Sequence, residues 1–269
     1  MWNGKFYKLH GCGNDFIIID NRDNVITQIQ MQTLAPKLCR RSFGVGADGV
    51  IFLQKDNQLP YGWEFFNSDG SKAKMCINGA RCAAYLSCKL NIAKAEHKFR
   101  TVENIVSAKV DLENKSVEIC LENIGAAKFD ILPNEFFCKA QSLVINLIET
   151  GVPHAVVFVV DAAKINVATL SQKIQTHKYF PDSVNVNFAQ VIDKNNLKLR
   201  TFERGVNKET YACGSGVIAA SILAKQMNLI HDKVTVTTSG GEKLQVIIHN
   251  SHTVFLTGGA ELVYIGELF

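Results

Sequence analysis

Two cysteines stand in nearly the same surroundings in the two halves of this 269-residue chain. One lies in Met75-Cys76-Ile77-Asn78-Gly79 and the other in Ala212-Cys213-Gly214-Ser215-Gly216. Each is followed by a small polar residue at +2, a glycine at +3, an Ala-rich apolar run and an asparagine at +15, Asn91 in one copy and Asn228 in the other. A thiol is a poor base until it ionises. Its ordinary pKa of about 8.5 falls at a helix N-terminus, where unpaired backbone N–H groups and the helix dipole favour negative charge, and the pattern puts both cysteines just before such a start. The glycine and small polar residues beyond each cysteine leave N–H groups open to a carboxylate. If the two halves face each other, two such thiols on opposite walls of one cleft suit the removal of a proton from one face of a carbon and its return to the other. That is the chemistry of racemisation.

Two further polar groups stand beside turns, where sites are commonly built: His154 after Gly151-Val152-Pro153, and Glu203-Arg204 at the end of a strand ahead of Cys213. Composition narrows the alternatives. The formal charge of +4 comes from 29 basic and 25 acidic residues spread along the chain, and the longest basic cluster, Lys37-Leu38-Cys39-Arg40-Arg41, reads as a solvated helix end, so no nucleic-acid partner is expected. No apolar stretch is long enough to span a bilayer, and Met1-Trp2-Asn3-Gly4-Lys5 is no secretory leader, so the expectation is a soluble, cytoplasmic protein without a membrane partner. None of the eight cysteines forms a CxxC pair, and the six-residue spacing of Cys76, Cys82 and Cys88 spreads them over different helix faces rather than around zinc. Cys39, Cys82, Cys88, Cys120 and Cys138 read as small buried hydrophobes. With no Gly-rich phosphate cradle beside an assignable Schiff-base lysine, neither cofactor nor metal is expected.

The elements that must position these groups repeat along the chain. Phe6–Leu9 and Phe16–Asp20 read as strands around a Gly11-Cys12-Gly13-Asn14 turn, a helix follows from Thr33 to Arg41, strands at Val50–Gln54 and Gly62–Asn67 come next, and then Cys76 with its helix. Alternation through Val106–Leu112 and Ser116–Leu121 marks a hairpin turning at Glu113-Asn114-Lys115. The second half repeats this order: strands at Ser142–Leu147 and Ala155–Val160, a helix at Ala168–Gln175, strands at Val184–Ile192 and Leu197–Glu203, Cys213 with a helix to Lys225, then strands at Lys233–Thr238, Leu244–Asn250 and Thr253–Leu256. This is an α+β pattern of two pseudo-symmetric domains, each a mixed or antiparallel sheet around a long helix. The domains are residues 1–125 with 261–269, carrying Cys76, and 126–260, carrying Cys213; the last strand, Ala260–Phe269, returns to the first.

Read in order, seven segments resemble the successive signatures of the diaminopimelate epimerases: Gly11-Cys12-Gly13-Asn14-Asp15-Phe16, Phe66-Asn67-Ser68-Asp69-Gly70, Met75 to Cys82, Pro153-His154-Ala155-Val156, Asn185-Val186-Asn187-Phe188, Glu203-Arg204-Gly205 and Ala212 to Gly216. The resemblance covers essentially the whole chain. It implies a cofactor-independent isomerase with its active site in the cleft between the two domains, interconverting LL- and meso-diaminopimelate on the route to lysine and peptidoglycan. It implies Cys76 and Cys213 as base and acid, with His154 and Glu203 helping to set their protonation. Asn14, Asn67, Asn185, Glu203 and Arg204 would hold the distal amino-acid group, and backbone around Ile77, Asn78, Gly214 and Ser215 the reacting carboxylate. Tyr264 matches a position at a homodimer contact.

Departures from the family pattern touch recognition rather than the thiols. Ile77 stands where the family typically has glycine and would bring a β-branched side chain into the anion-binding turn. Val152 replaces an asparagine expected at the distal carboxylate, Gly49 stands where many members carry glutamine and others share the glycine, and the 203–210 segment is one residue longer than usual. A racemase of another amino acid on the same scaffold and a non-catalytic amino-acid-binding module therefore stay open beside the leading reading.

Overall fold

A computed structural model describes the chain except Met1, Asn123, Lys139, Ala140, Ser251 and Phe269, and the side chains of Cys138 and Gln141. The buried-hydrophobe reading of Cys138 lies outside the described residues. The chain divides into two compact units, Met1–Cys120 with Thr257–Phe269, and Leu121–Leu256.

In the first unit β1 (Lys5–Gly11) and β2 (Asn14–Asp20) form a hairpin. Cys12 and Gly13, with φ of 56° and 76°, make the two-residue turn whose left-handed backbone matches strand twist. Helix α1 (Gln28–Cys39) begins five residues before the expected Thr33, because Thr27 and Gln30 form a capping box that satisfies the first turn. Then come β3 (Gly49–Gln54), β4 (Gly62–Asn67), the short β5 (Lys72–Ala73), α2 (Ile77–Lys89), β6 (Glu96–Arg100), β7 (Ile105–Asp111) and β8 (Ser116–Leu121). On one side of the sheet Met31, Ala35 and Leu38 of α1 pack on Ile17, Ile19, Val50, Phe52 and Phe66. Helix α2 is buried from Ile77 to Cys88, which its glycine and alanines permit by letting neighbouring backbone approach closely. The last strand, Glu261–Glu267, pairs antiparallel with β1 as expected of a segment returning to this half.

The second unit contains β9 (Phe137–Cys138), β10 (Gln141–Ser142), β11 (Ile145–Glu149), β12 (Pro153–Phe158), α3 (Val167–Gln175), β13 (Asn185–Asp193), β14 (Asn196–Glu203), β15 (Lys208–Thr210), α4 (Gly214–Gln226), β16 (Lys233–Thr237) and β17 (Lys243–Ile248). Its strand pairing repeats that of the first. β1–β2 and β11–β12 are antiparallel, β2–β3 and β12–β13 parallel, β3–β4 and β13–β14 antiparallel. β4–β6 and β14–β16 are again parallel, and β6–β7 and β16–β17 antiparallel. The repeat also explains the asparagines at +15. Asn91 and Asn228, with φ of 56° and 57°, close the C-termini of α2 and α4, a left-handed position that asparagine tolerates better than most side chains.

Candidate active site

Both cysteines are the N-cap residues of their helices, with extended backbone (Cys76 φ −145°, ψ 118°; Cys213 φ −117°, ψ 109°), and neither spends its sulfur on capping its own helix. In the first unit the half-buried Cys76 points its Sγ at Asn14 Oδ1, 3.6 Å away. The same oxygen receives Asn78 Nδ2 at 3.3 Å, and Asn78 Oδ1 receives the guanidinium of Arg81 at 2.9 Å. Arg81, fully buried, also donates to the Gly259 carbonyl, with its other nitrogen beside Cys12 Sγ. Asn14 is turned by its own amide, which donates to Asp48 Oδ2 at 2.7 Å. Arg41 grips both Asp48 and Asp15, and the buried Lys8 pairs with Asp15 at 2.6 Å. Burial pushes the Asp15 carboxyl up, but Arg41 and Lys8 outweigh it and hold the group below the usual carboxylate range. Asn67 ends β4 opposite Gly49 and donates to Ser71 Oγ at 3.0 Å. The Ile77 side chain, expected in the anion-binding turn, is buried at the first position of α2, so what Ile77 can offer an anion is its backbone.

The second unit builds around His154, which is fully buried on β12. Its Nδ1 is 3.1 Å from Asn187 Nδ2 and its Nε2 2.9 Å from Ser215 Oγ. Ser215 Oγ in turn lies 3.4 Å from Cys213 Sγ, and the Ser215 carbonyl receives the Thr150 hydroxyl at 3.1 Å. Burial, reinforced by the charge of Arg204, pushes the imidazole pKa down to about 3. At neutral pH His154 is therefore an uncharged hydrogen-bonding group. Asn185 faces His154 across the β12–β13 pairing and accepts the Arg204 amide at 2.9 Å, while the Arg204 side chain reaches the Asp182 carbonyl at 3.3 Å. Glu203 accepts the Thr210 hydroxyl at 2.6 Å across the β14–β15 hairpin, whose turn holds the lengthened segment.

Within the first unit the structure thus groups Cys76, Asn14 and Asn78 directly and brings Asn67 to the same strand edge; within the second it groups Cys213, Ser215 and His154, with Asn185, Glu203 and Arg204 at the edge beside them. Gly214 follows Cys213 as the buried first residue of α4. In both units the residue two after the cysteine is held by a residue near the start of the unit's second strand, Asn14 or His154. Sequence reasoning missed the groups behind these contacts: Asp48, Arg81, Thr150 and Asn187. Two had a readable signal, a charge inside the Ala- and Cys-rich run of α2 and a polar residue recurring within the otherwise apolar β13. Among the described residues no three His, Cys, Asp or Glu side chains gather as a metal-holding group, and no helix is long and apolar enough to cross a membrane.

A doubled α+β unit with one long helix packed in each copy defines a class of fold, and solved structures share that fold. A PhzF-family phenazine biosynthesis protein from Bacillus anthracis superposes with a TM-score of 0.76 at 14% identity, over 100% of both chains. A hydroxyproline epimerase from Agrobacterium vitis gives 0.68 at 14%, covering 98% of this chain and 92% of that one. Within that class the sequence is decisive. The diaminopimelate epimerase profile matches residues 6–129 and 146–263, and the chain belongs to the diaminopimelate epimerase family. It is 37% identical over 275 residues to the diaminopimelate epimerase of Aquifex aeolicus (98% of this chain, 97% of the relative) and 37% identical over 271 residues to that of Archaeoglobus fulgidus (98% and 95%).

Proposed function

We propose that this chain, an isomerase by family, interconverts LL- and meso-diaminopimelate with two cysteines and without pyridoxal phosphate or metal. The observation that carries the reading is the duplicated cysteine N-cap. The first N–H groups of a helix are not used by its own ladder, so those of Ile77 and Asn78, and of Gly214 and Ser215, are the groups that would bind the reacting carboxylate. Each thiol stands beside them, where the helix dipole favours its anion. One thiolate takes the proton from the α-carbon, the charge is held as the carboxylate-stabilised carbanion, and the other thiol returns a proton to the opposite face. In this reading the two units are the epimerase halves, residues 1–125 with 261–269 and 126–260, each supplying one of the two thiols. Asn14, Asn67, Asn185, Glu203 and Arg204 would take the distal amino-acid group.

A cytoplasmic homodimer belongs to the same proposal. Its dimer contact is supported by the outward Val263, Tyr264 and Ile265 of the last strand, 55%, 43% and 56% exposed, with Tyr264 edge-on to Phe6. The test is stereochemical inversion in deuterated water across a panel of free amino acids that includes diaminopimelate. The expected result is inversion of diaminopimelate in preference to the others, with solvent deuterium at the inverted carbon of the earliest product. Cys76→Ala and Cys213→Ala should each abolish inversion while leaving circular dichroism unchanged. Near-normal turnover by either variant, or retention of the substrate's own hydrogen in the inverted product, would refute the two-thiol reading.

A further inference from the structure

The two cysteines face hydrogen-bonding groups of opposite polarity. Asn187 Nδ2 lies between the Ala155 and Asn185 carbonyl oxygens, at 3.1 and 3.4 Å, and its Oδ1 receives the Thr201 hydroxyl at 3.0 Å. Carbonyls only accept, so the atom between them is the amide nitrogen, which cannot accept a proton, and His154 Nδ1 beside it at 3.1 Å is the unprotonated, accepting ring nitrogen. A neutral imidazole with Nδ1 accepting carries its one proton on Nε2, and that N–H donates to Ser215 Oγ. The Ser215 hydroxyl, receiving there, keeps its own proton to offer Cys213 Sγ, 3.4 Å away. Around Cys76 the direction is reversed. Asn14 Nδ2 donates to the Asp48 carboxylate, which only accepts, so the atom facing Cys76 is the amide oxygen, and it takes the proton of the S–H.

We propose that in the resting enzyme Cys213 is the thiolate and Cys76 the thiol, an assignment made by the Asn187–His154–Ser215 chain donating to one sulfur and by Asn14 accepting from the other. This rests on the two-thiol reading above. A hydrogen bond donated to a sulfur favours its charged form, and one accepted from it favours the protonated form. Of the charged side chains at the same strand edge as His154, Arg204 opposes protonation of the imidazole, and Glu203 accepts the Thr210 hydroxyl. The opposite isomer is deprotonated by the exchanged form, with Cys76 as thiolate; from the isomer whose α-proton faces Cys213, the first proton moves to Cys213 and the second comes from Cys76 on the opposite face. That leaves Cys213 as thiol and Cys76 as thiolate until exchange with solvent restores the resting pair. Asn187 and His154 act only through Ser215 and are positioning residues.

The test is iodoacetamide alkylation of the whole protein across a pH series, read for each cysteine by mass spectrometry as the midpoint of its rate profile. Cys213 should have the lower midpoint. Ser215→Ala should raise it by about one pH unit, the worth of one hydrogen bond to a charged group, without moving that of Cys76, and Ser215→Thr should restore it. Correspondingly, Cys213→Ala should remove more far-ultraviolet thiolate absorbance at neutral pH than Cys76→Ala, and 15N imidazole spectra should show His154 as the Nε2–H tautomer. A lower midpoint for Cys76, an unmoved Cys213 midpoint in Ser215→Ala, or an Nδ1–H tautomer would overturn the assignment. Failure of the two-thiol reading would appear instead in the inversion assay, which the alkylation midpoints do not depend on.

Discussion

Gly79 and Gly216 occupy the same place in the two repeats, three residues after each cysteine in the first turn of its helix, yet alanine should act differently at the two. A Cβ added at Gly79 meets Ile51 Cδ1 at 3.0 Å and the Phe16 ring at 3.5 Å. The nearer atom is the far end of a flexible side chain that can yield by a few tenths of an ångström. Alanine also recovers about 0.8–1 kcal/mol of helix propensity over glycine, so Gly79→Ala should stay within about 1 kcal/mol of the wild type. At Gly216 the same Cβ collides with Asn187 Oδ1 and lies 3.3 Å from its Cγ. Asn187 is fully buried, and its amide is tied to Thr201, His154, Ala155 and Asn185, so it cannot swing aside without breaking bonds. Losing two of them in a buried group costs about 2–4 kcal/mol, and after the propensity gain about 1–3 kcal/mol of destabilisation remains. In a chain of this size that lowers the melting temperature by about 3–9 °C. Thermal unfolding of the two variants side by side, by circular dichroism, checks the difference. Equal shifts, or no shift for Gly216→Ala, would refute the packing argument.

Three further outcomes follow from named contacts. Because the folded chain keeps His154 neutral down to about pH 3 while the unfolded chain protonates it near its ordinary value, the unfolded state binds more protons in between. Stability from this residue is thus full above about pH 6.5 and is lost as pH falls toward 3, at up to about 1.4 kcal/mol per unit; His154→Gln should flatten the acid limb of the melting profile, and an unchanged limb would count against it. Asp15→Asn leaves the buried Lys8 ammonium without its counter-charge and should cost about 2–4 kcal/mol in urea unfolding, with a loss under about 1 kcal/mol contradicting the pairing. Val152→Asn should lower KM for diaminopimelate more than it changes kcat, since an amide at the distal end adds uniform binding; an unchanged KM would remove residue 152 from the distal pocket.

The cysteine caps, the duplication and the order of elements were legible because each is local. A helix start depends on residues within one turn, and the strands announce themselves by their own alternation; even the early start of α1 was written in Thr27 and Gln30, a capping box that hydrophobic periodicity alone passes over. The asparagines at +15 were visible as a repeat, but their left-handed backbone at the helix ends gave the repeat its physical meaning. What tertiary structure alone decided is which buried polar groups meet. Asn187 reaches His154 because β12 and β13 run parallel in one register, and Ser215 reaches it because α4 lies over those strands, joining residues 33 and 61 positions apart in the chain. Register and helix docking are set by the packing of a whole core, whereas a hydrogen bond's direction is set by which atom finds an acceptor. For that reason the sequence sets the two cysteines in like surroundings, and only the folded chain gives their sulfurs unlike hydrogen-bonding neighbours, Asn14 and Ser215.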